Sequence, residues 1–290
     1  FKTPPLYLSD VKGGRRANRH RSCYDTAEFS ASLTLDFRLR RFEAEIHRLS
    51  DFIGCLSPAN VRFVLEHNPE VKAEKVDIAP NSYDVASPQP SPEGKGVRKA
   101  LGLPTDKPIF IYGGNMGKPQ GIPFLVECMR AVKDREDCHF VIVGDGTEYP
   151  KLEAFVNECR PKAVSVFRRL PKEDYDRLAD ACDVGLIFLD YRFTIPNYPS
   201  RLLPYLMSRK PIIACTDPNC DTGALAEQNG YGFYCPSNSV EAFVKTIDRM
   251  LASDIRQMGE NGRRAVKEEF NWGVEEKKLL ALYDEILNEK

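Results

Sequence analysis

The chain has 290 residues, of which 42% are apolar and 29% charged, and its formal net charge at pH 7 is -1. That length provides for one large or two ordinary α/β domains with well-buried cores. A balance so close to neutral excludes a chain-wide positive field for nucleic acid and leaves only local basic patches. No apolar run approaches the roughly 20 residues needed to cross a bilayer. The 9 cysteines are an odd number without CxxC pairs. Cys128, Cys138, Cys182 and Cys215 lie in apolar strand or helix patterns, where cysteine acts as a small hydrophobe. Reduced thiols and a cytoplasmic setting are the expectation. The chain opens at Phe1 with mid-domain sequence and no signal-like run, so a longer N-terminal side is expected.

In chain order, Phe37 to Leu49 reads as a basic helix and Asp51 to Leu56 as a buried strand. Ser57-Pro58 starts a second helix through Val61, Val64 and Leu65. Lys75 to Ala79 is a short strand, and a domain boundary is expected near Pro80 to Tyr83. Ser87 to Gly96 is rich in Pro, Gly and Ser, which marks a linker or exposed loop. From Pro108 onward, strands alternate with helices. Pro108 to Gly114 is followed by a helix carrying Ile122, Leu125, Val126, Met129 and Val132. His139 to Val143 follows, then Ala163 to Phe167, a charged helix from Pro171, Asp183 to Phe188, a helix from about Pro199, and Pro211 to Cys215. Apolar strands bounded by glycine and alternating with amphipathic helices predict a doubly wound parallel sheet covered on both faces. Val274 to Leu287 closes the chain as a helix with Leu279, Leu280, Leu282, Tyr283 and Leu287 on its apolar face.

In such a sheet, ligands sit beyond the carboxyl ends of the strands. Three stretches fall there. Gly113-Gly114-Asn115 to Gly121 follows the first strand. Its glycines let backbone N–H groups approach an anion, with Lys118 adding a full charge, or they serve a tight turn. The stretch matches neither a Walker A loop nor a GxGxxG fingerprint. Gly144-Asp145-Gly146 after the next strand reads as a plain turn and cap, or as a second phosphate contact. Asp190 to Tyr205 turns into a helix at Pro199-Ser200-Arg201, a further anion-site candidate. Arg192 and Arg201 are otherwise surface ion-pair residues.

Taken in order, these pieces resemble the retaining glycosyltransferases of the GT-B fold, specifically group 1 (family 4). The carriers are Gln120-Gly121, FVIVGDG at Phe140 to Gly146, RRLPKEDYDRL at Arg168 to Leu178 and ACDVGLIFLD at Ala181 to Asp190. IPNYPSRLLPYLMSRKPIIA at Ile195 to Ala214 and TDPNCDTG at Thr216 to Gly223 complete the series. The resemblance implies a complete C-terminal Rossmann-like domain at 81–270. It also implies the C-terminal part of an N-terminal, acceptor-side Rossmann-like domain at 1–80, and a helix at 271–290 that crosses back to it. The donor is expected to be a UDP- or GDP-linked sugar, and the acceptor a polysaccharide or lipid-linked glycan. Without the remainder of the acceptor domain, the chain alone is expected not to complete transfer.

Carried over residue by residue, the resemblance assigns Lys118 and Arg201 to the departing diphosphate. Gly113, Gly114, Asn115, Gly144, Asp145, Gly146, Pro199 and Ser200 are assigned around the donor. Arg168 flanks the base, and Asp217 or Asp221 meets sugar or ribose hydroxyls. The sequence departs from the family where a basic pair is usual, reading Asn115 and Gln120. Pro204 stands at the second of the paired glutamates, and no glutamate occurs between Tyr191 and Pro211. A sub-group with a PSK/R…Y loop shares this form. No cofactor and no metal are expected, because no DxD pair stands between strand and phosphate. Asp190, Asp25 and Asp36 read as ordinary polar positions.

Lys12, Arg15, Arg16, Arg19 and Arg21, with Arg38, Arg40, Arg41 and Arg48, form either a solvated face or a peripheral contact with anionic membrane. His20, His47, His67 and His139 lack metal-ligand spacing. Two other functions stay open: a non-catalytic nucleotide-sugar-binding subunit, motivated by the absent glutamates, and a GT-B-fold UDP-sugar epimerase. The second would need cleft carboxylates and histidines that this sequence does not display.

Overall fold

The computed structural model describes residues 7–8, 33–85 and 94–288. The chain divides into one unit of Phe1–Asn81, Ile195–Tyr198 and Gly273–Lys290, and another of Ser82–Thr194 and Pro199–Trp272. The short stretch Ile195–Tyr198 thus groups with the first unit, although its sequence neighbours lie in the second.

In the first unit, β1 (Tyr7–Leu8) runs antiparallel to β2 (Phe52–Cys55), which pairs in parallel with β3 (Val76–Ile78). The helix α1 (Leu33–Leu49) precedes β2, and α2 (Pro58–His67) follows it. Proline at the first turn of α2 loses no hydrogen bond, and the extended Ser57 offers its Oγ to the Asn60 N–H at 3.4 Å. The helix stops at Asn68, whose backbone N–H and side-chain Nδ2 both donate to Val64 O. Its apolar face, Val61, Val64 and Leu65, packs on Ile53, Cys55 and Val76. Asn60 Nδ2 donates to Pro196 O at 2.7 Å, which fastens the inserted stretch to α2.

The second unit opens with α3 (Gly94–Ala100) and continues through β4 (Ile109–Asn115), α4 (Ile122–Val132), β5 (His139–Asp145), α5 (Tyr149–Cys159), β6 (Val164–Phe167) and α6 (Lys172–Asp180). Then follow β7 (Val184–Phe188), α7 (Leu202–Met207), β8 (Ile212–Thr216), α8 (Thr222–Gln228), β9 (Gly232–Pro236), α9 (Val240–Leu251) and α10 (Ile255–Glu269). The last helix is α11 (Trp272–Asn288). The linker expected over 87–96 is shorter at its end, since Gly94 already begins α3; residues 86–93 lie outside the described residues. Hydrogen bonds from Arg98 to Ala181 O, Lys107 O and Asp183 hold this helix despite the two glycines there.

The strands form a 6-stranded sheet, all parallel, in the order β6-β5-β4-β7-β8-β9. Helices cover both faces, so Ile109 to Tyr112 and Ile212 to Cys215 are apolar without alternation and wholly buried. On one face, Leu125 and Met129 of α4, Phe155 of α5 and Phe243 and Ile247 of α9 pack on Phe110, Phe140 and Phe188. Phe110 and Phe140 stack at 5.2 Å between ring centroids. Each such side chain contributes about 1.5–3 kcal/mol by leaving water. All described cysteines are free, and burial pushes the Cys55 thiol up to about 11 and Cys182 up to about 12. Neither is a reactive thiolate.

The chain winds outward from β4 through β5 to β6, then returns to β7 on the other side of β4 and winds outward again. Loops leaving β4 and β7 therefore depart in opposite directions. Such a switch of winding opens a crevice beyond the carboxyl ends of the two strands.

Candidate functional site

The end of β4 is built by its neighbours. Gly114 pairs in register with Gly144, and Asn115 with Asp145. A Cβ on Gly144 would stand 1.9 Å from Gly114 O, and one on Gly146 would stand 2.5 Å from Met116 O. Met116 N–H donates to Asp145 O, and Glu148 N–H donates to Met116 O. The Gly144-Asp145-Gly146 stretch thus lets the β4 turn lie directly on the β5 turn. Asp145 itself is exposed, and its Oδ1 accepts from the Gly146 N–H at 2.9 Å.

Beyond Gly114, the chain makes a single 3₁₀ turn at Lys118–Gln120 before α4. Asn115 and Gln120 bond to one another: Asn115 Nδ2 donates to Gln120 Oε1 at 3.3 Å, and the same oxygen accepts the Gly117 N–H. Lys118 is exposed on this turn. Gly121 takes a left-handed conformation with φ 59, between the 3₁₀ turn and α4.

The loop after β7 brings Arg201 to the same place. Pro199, Ser200 and Arg201 lie in the turn before α7, with the Leu202 N–H donating to Pro199 O, so the helix begins three positions later than its sequence pattern suggests. Pro199 is buried and Ser200 exposed. The Arg201 guanidinium lies against the main chain of β4; a Cβ on Gly114 would be 2.9 Å from Nη2. Its Cζ sits 4.7 Å from the Tyr112 ring centroid. Nη1 is enclosed and has no hydrogen-bond partner. An arginine keeps its charge at any ordinary pH, so an unmatched cationic donor stands beside the exposed backbone of Gly114 and Asn115.

Tyrosines surround it that the sequence pattern presents as apolar filler. Tyr112 donates its hydroxyl to Asn115 O at 2.8 Å, and Tyr205 donates to Ile111 O at 3.3 Å. Tyr175 and Tyr205 meet hydroxyl to hydroxyl at 3.4 Å. The usable signal is the four-residue spacing of Arg201 and Tyr205 on one helical turn.

Arg168, at the end of β6, lies 4.4 Å over the Tyr149 ring, pairs with Glu153 at 2.7 Å and reaches Asp145 at 3.8 Å. It is 60% exposed, so these pairs add little stability. Asp217 is fully buried at the end of β8. Its Oδ1 accepts from the N–H groups of Asn219 and Cys220 at 2.9 and 3.1 Å, while Oδ2 has no hydrogen-bond partner. Burial raises this carboxyl above the ordinary range, opposed by those backbone N–H groups. Asp221 occupies the cap position of α8. The structure therefore brings Gly113, Gly114, Asn115 and Arg201 together and sets Gly144, Asp145, Gly146 and Arg168 alongside through β5. Asp217 is enclosed at its own strand end. Among the described residues, no group of three or more His, Cys, Asp or Glu side chains is placed to hold a metal, and no helix is long and apolar enough to cross a membrane.

Comparison with known proteins bears on the whole arrangement. WbjE of Pseudomonas aeruginosa, named a probable glycosyltransferase, is 26% identical over 198 residues, 68% of this chain and 47% of that protein. WcaI of Escherichia coli (strain K12), whose name assigns it to colanic acid biosynthesis, is 28% identical over 207 residues, 69% of this chain and 49% of WcaI. The chain spans about half the length of these curated relatives. Among solved structures, Anabaena HepE in complex with UDP and glucose superposes with a TM-score of 0.70 at 15% identity, covering 84% of this chain and 66% of HepE. Sucrose-phosphate synthase from Thermosynechococcus elongatus gives 0.70 at 20% identity, covering 90% of this chain and 65% of the synthase. These likenesses establish the GT-B fold. Residues 95–265, more than half of the chain and all of the residues gathered at the ends of β4 and β7, match the family Glycosyl transferases group 1, and the chain belongs to that family.

Proposed function

We propose that the crevice between the ends of β4 and β7 holds the diphosphate of a UDP- or GDP-linked sugar. In this reading the whole protein moves the sugar, with retention, to a polysaccharide or lipid-linked glycan. The observation that carries the proposal is the enclosed, unpartnered Nη1 of Arg201 beside the open backbone of Gly114. Leaving a charged donor unmatched costs several kcal/mol unless a ligand anion completes it. A diphosphate supplies such an anion, and the complex of HepE with UDP and glucose supports a nucleoside diphosphate as its carrier.

In the reaction, negative charge grows on the leaving diphosphate oxygen as the sugar–oxygen bond breaks. Arg201 and the backbone at Gly114 and Asn115 are the donors that stabilise this charge. Lys118 adds positive charge from the 3₁₀ turn. The same oxygen accepts the proton of the acceptor hydroxyl, so no separate base is required. With the charge carried by arginine and lysine, the reading calls for no metal or other cofactor. EDTA is expected to leave UDP affinity unchanged, and a metal requirement for binding would count against it. Arg168 and Asp217 are assigned to the nucleoside and to a sugar hydroxyl.

Calorimetry with UDP and GDP tests the site. Arg201→Ala is expected to weaken the preferred nucleotide about 30-fold and Lys118→Ala about fivefold, the range of charge-assisted hydrogen bonds and exposed charges. Equal affinity in wild type and Arg201→Ala would remove the proposal. Retention is read from the anomeric configuration of the product made by the whole protein. A second reading, a nucleotide-sugar-binding subunit without turnover, is favoured by Pro204 in place of the family glutamate. Transfer or donor hydrolysis by the whole protein would exclude it. The epimerase reading gains no supporting observation. A cytoplasmic site of action with contact to anionic membrane belongs to the same proposal; of its basic residues, Lys12 to Arg21 lie outside the described residues.

A further inference from the structure

We propose that Tyr112 and Tyr205 are positioning residues that fix the Arg201 guanidinium beside Gly114 by fastening its surroundings to the main chain of β4. The inference rests on the donor-site reading above and adds what holds the cation in place. A lone arginine has high rotamer freedom, and ordering it before a ligand arrives takes contacts that do not consume its charge. Among the described residues no carboxylate does so. Instead the plane of Tyr112 lies under Cζ at 4.7 Å. A ring face attracts a guanidinium without neutralising it; the Tyr112 hydroxyl also bonds to the guanidinium, while Nη1 keeps no partner.

The ring is itself enclosed and anchored. Tyr112 is fully buried, and its hydroxyl is committed to Asn115 O at 2.8 Å. Tyr205 is anchored at 3.3 Å to Ile111 O, and its hydroxyl meets that of Tyr175. Room for these rings is reserved by glycines: a Cβ on Gly185 would stand 2.4 Å from the Tyr205 ring, and one on Gly113 would stand 2.1 Å from the Tyr175 hydroxyl. Burial keeps the hydroxyls of Tyr175 and Tyr205 protonated, above the ordinary tyrosine range, so neither provides a counter-charge. The cation is thus held by neutral groups, all referred to the strand whose end forms the anion site. A misplaced guanidinium would keep its charge and lose its aim.

The test is a double-mutant cycle in the whole chain, read by calorimetry with UDP or GDP, whichever binds tighter, and with the matching free nucleoside. Tyr112→Leu is expected to weaken the diphosphate about tenfold, while Tyr112→Phe, which keeps the ring, stays within about threefold of wild type. Tyr205→Phe is expected to weaken it about threefold. In an Arg201→Ala background, Tyr112→Leu should produce no further loss, although thermal stability falls equally in both backgrounds. Affinity for the free nucleoside should not change. If Tyr112→Leu does not fold, Tyr112→Met, which fills the volume without a ring face, takes its place in the cycle. An equal loss in both backgrounds, or no loss beside a native Arg201, overturns the positioning role and leaves the donor site standing. An Arg201→Ala variant that binds as tightly as wild type overturns both.

Discussion

A methyl group at Gly144 would stand 1.9 Å from the Gly114 carbonyl oxygen, well inside contact distance, and the obstacle is main chain in a paired strand. Gly144→Ala must therefore push the β4 turn off the β5 turn. Overpacking of this kind is expected to cost about 3 kcal/mol in urea unfolding; a loss below about 0.5 kcal/mol would mean that the turns separate freely. His139 makes a second residue-scale prediction. Burial, with Lys107 adding to it, lowers its pKa from 6.5 to about 4, and its Nε2 lies 2.9 Å from Ser165 Oγ. The unfolded chain takes up a proton near pH 6.5 that the folded chain refuses until about pH 4, so stability is full above that window and falls as pH drops through it. The loss is about 2 kcal/mol after allowing for partial solvent access, and His139→Gln should flatten it. An unchanged pH slope in that variant would assign the acid sensitivity to other groups. At this scale the sequence reveals part of the site. The glycines of 113–121 and the arginine at 201 stand out because glycine at a strand end and arginine at a loop end are chemically distinctive. The tyrosines do not, since Tyr112 reads as one more apolar strand residue and Tyr175 meets Tyr205 only in the folded chain.

The elements are the most legible level, for a physical reason: a strand covered on both faces must be continuously apolar, and β4, β5, β7 and β8 are. The strand β9 escapes notice because Gly232-Phe233-Tyr234-Cys235-Pro236 mixes turn formers with apolar residues. Its pairing with β8 along five positions, not its own pattern, makes it a strand. The start of α3 reads as linker because the stability of this helix is tertiary. Arg98 Nη2 pairs with Asp183 Oδ2 at 2.7 Å, its Nε donates to Ala181 O at 2.6 Å and its Nη1 to Lys107 O at 3.2 Å. Asp183 Oδ2 also accepts the Ile109 N–H at 2.7 Å, so one clasp secures α3 and the first residues of β4 and β7. Arg98→Met is expected to cost about 2 kcal/mol, less than a fully buried pair because Asp183 is 38% exposed. Amide exchange in α3 should rise by at least about tenfold while that of β5 and β8 follows global stability alone. Protection of α3 equal to that of the sheet would show that the helix is held by something other than this clasp.

For the whole molecule, the division into units has a functional consequence. Every residue assigned to the diphosphate, and each tyrosine around Arg201, lies in the second unit. The start and end of that unit meet: Tyr83 bridges Asn271, with the Tyr83 N–H donating to Phe270 O at 2.7 Å and the Trp272 N–H donating to Tyr83 O at 3.1 Å. A chain segment whose ends are clipped together around its own sheet and core has the attributes of an independent folding domain. Residues 82–272 expressed alone are therefore expected to unfold cooperatively and to bind the preferred nucleoside diphosphate within about threefold of the 290-residue chain. Ile195–Tyr198 would lose its hydrogen bond from Asn60 in that protein, so protease cleavage is expected to concentrate there. The same domain should transfer no sugar, because the acceptor is assigned to residues outside it. A loss of affinity well beyond threefold, with the sheet intact by amide exchange, would show that groups outside the second unit complete the donor site. The reading of Arg201 and β4 as sufficient for the diphosphate would then give way to one in which the chain closes around its ligand.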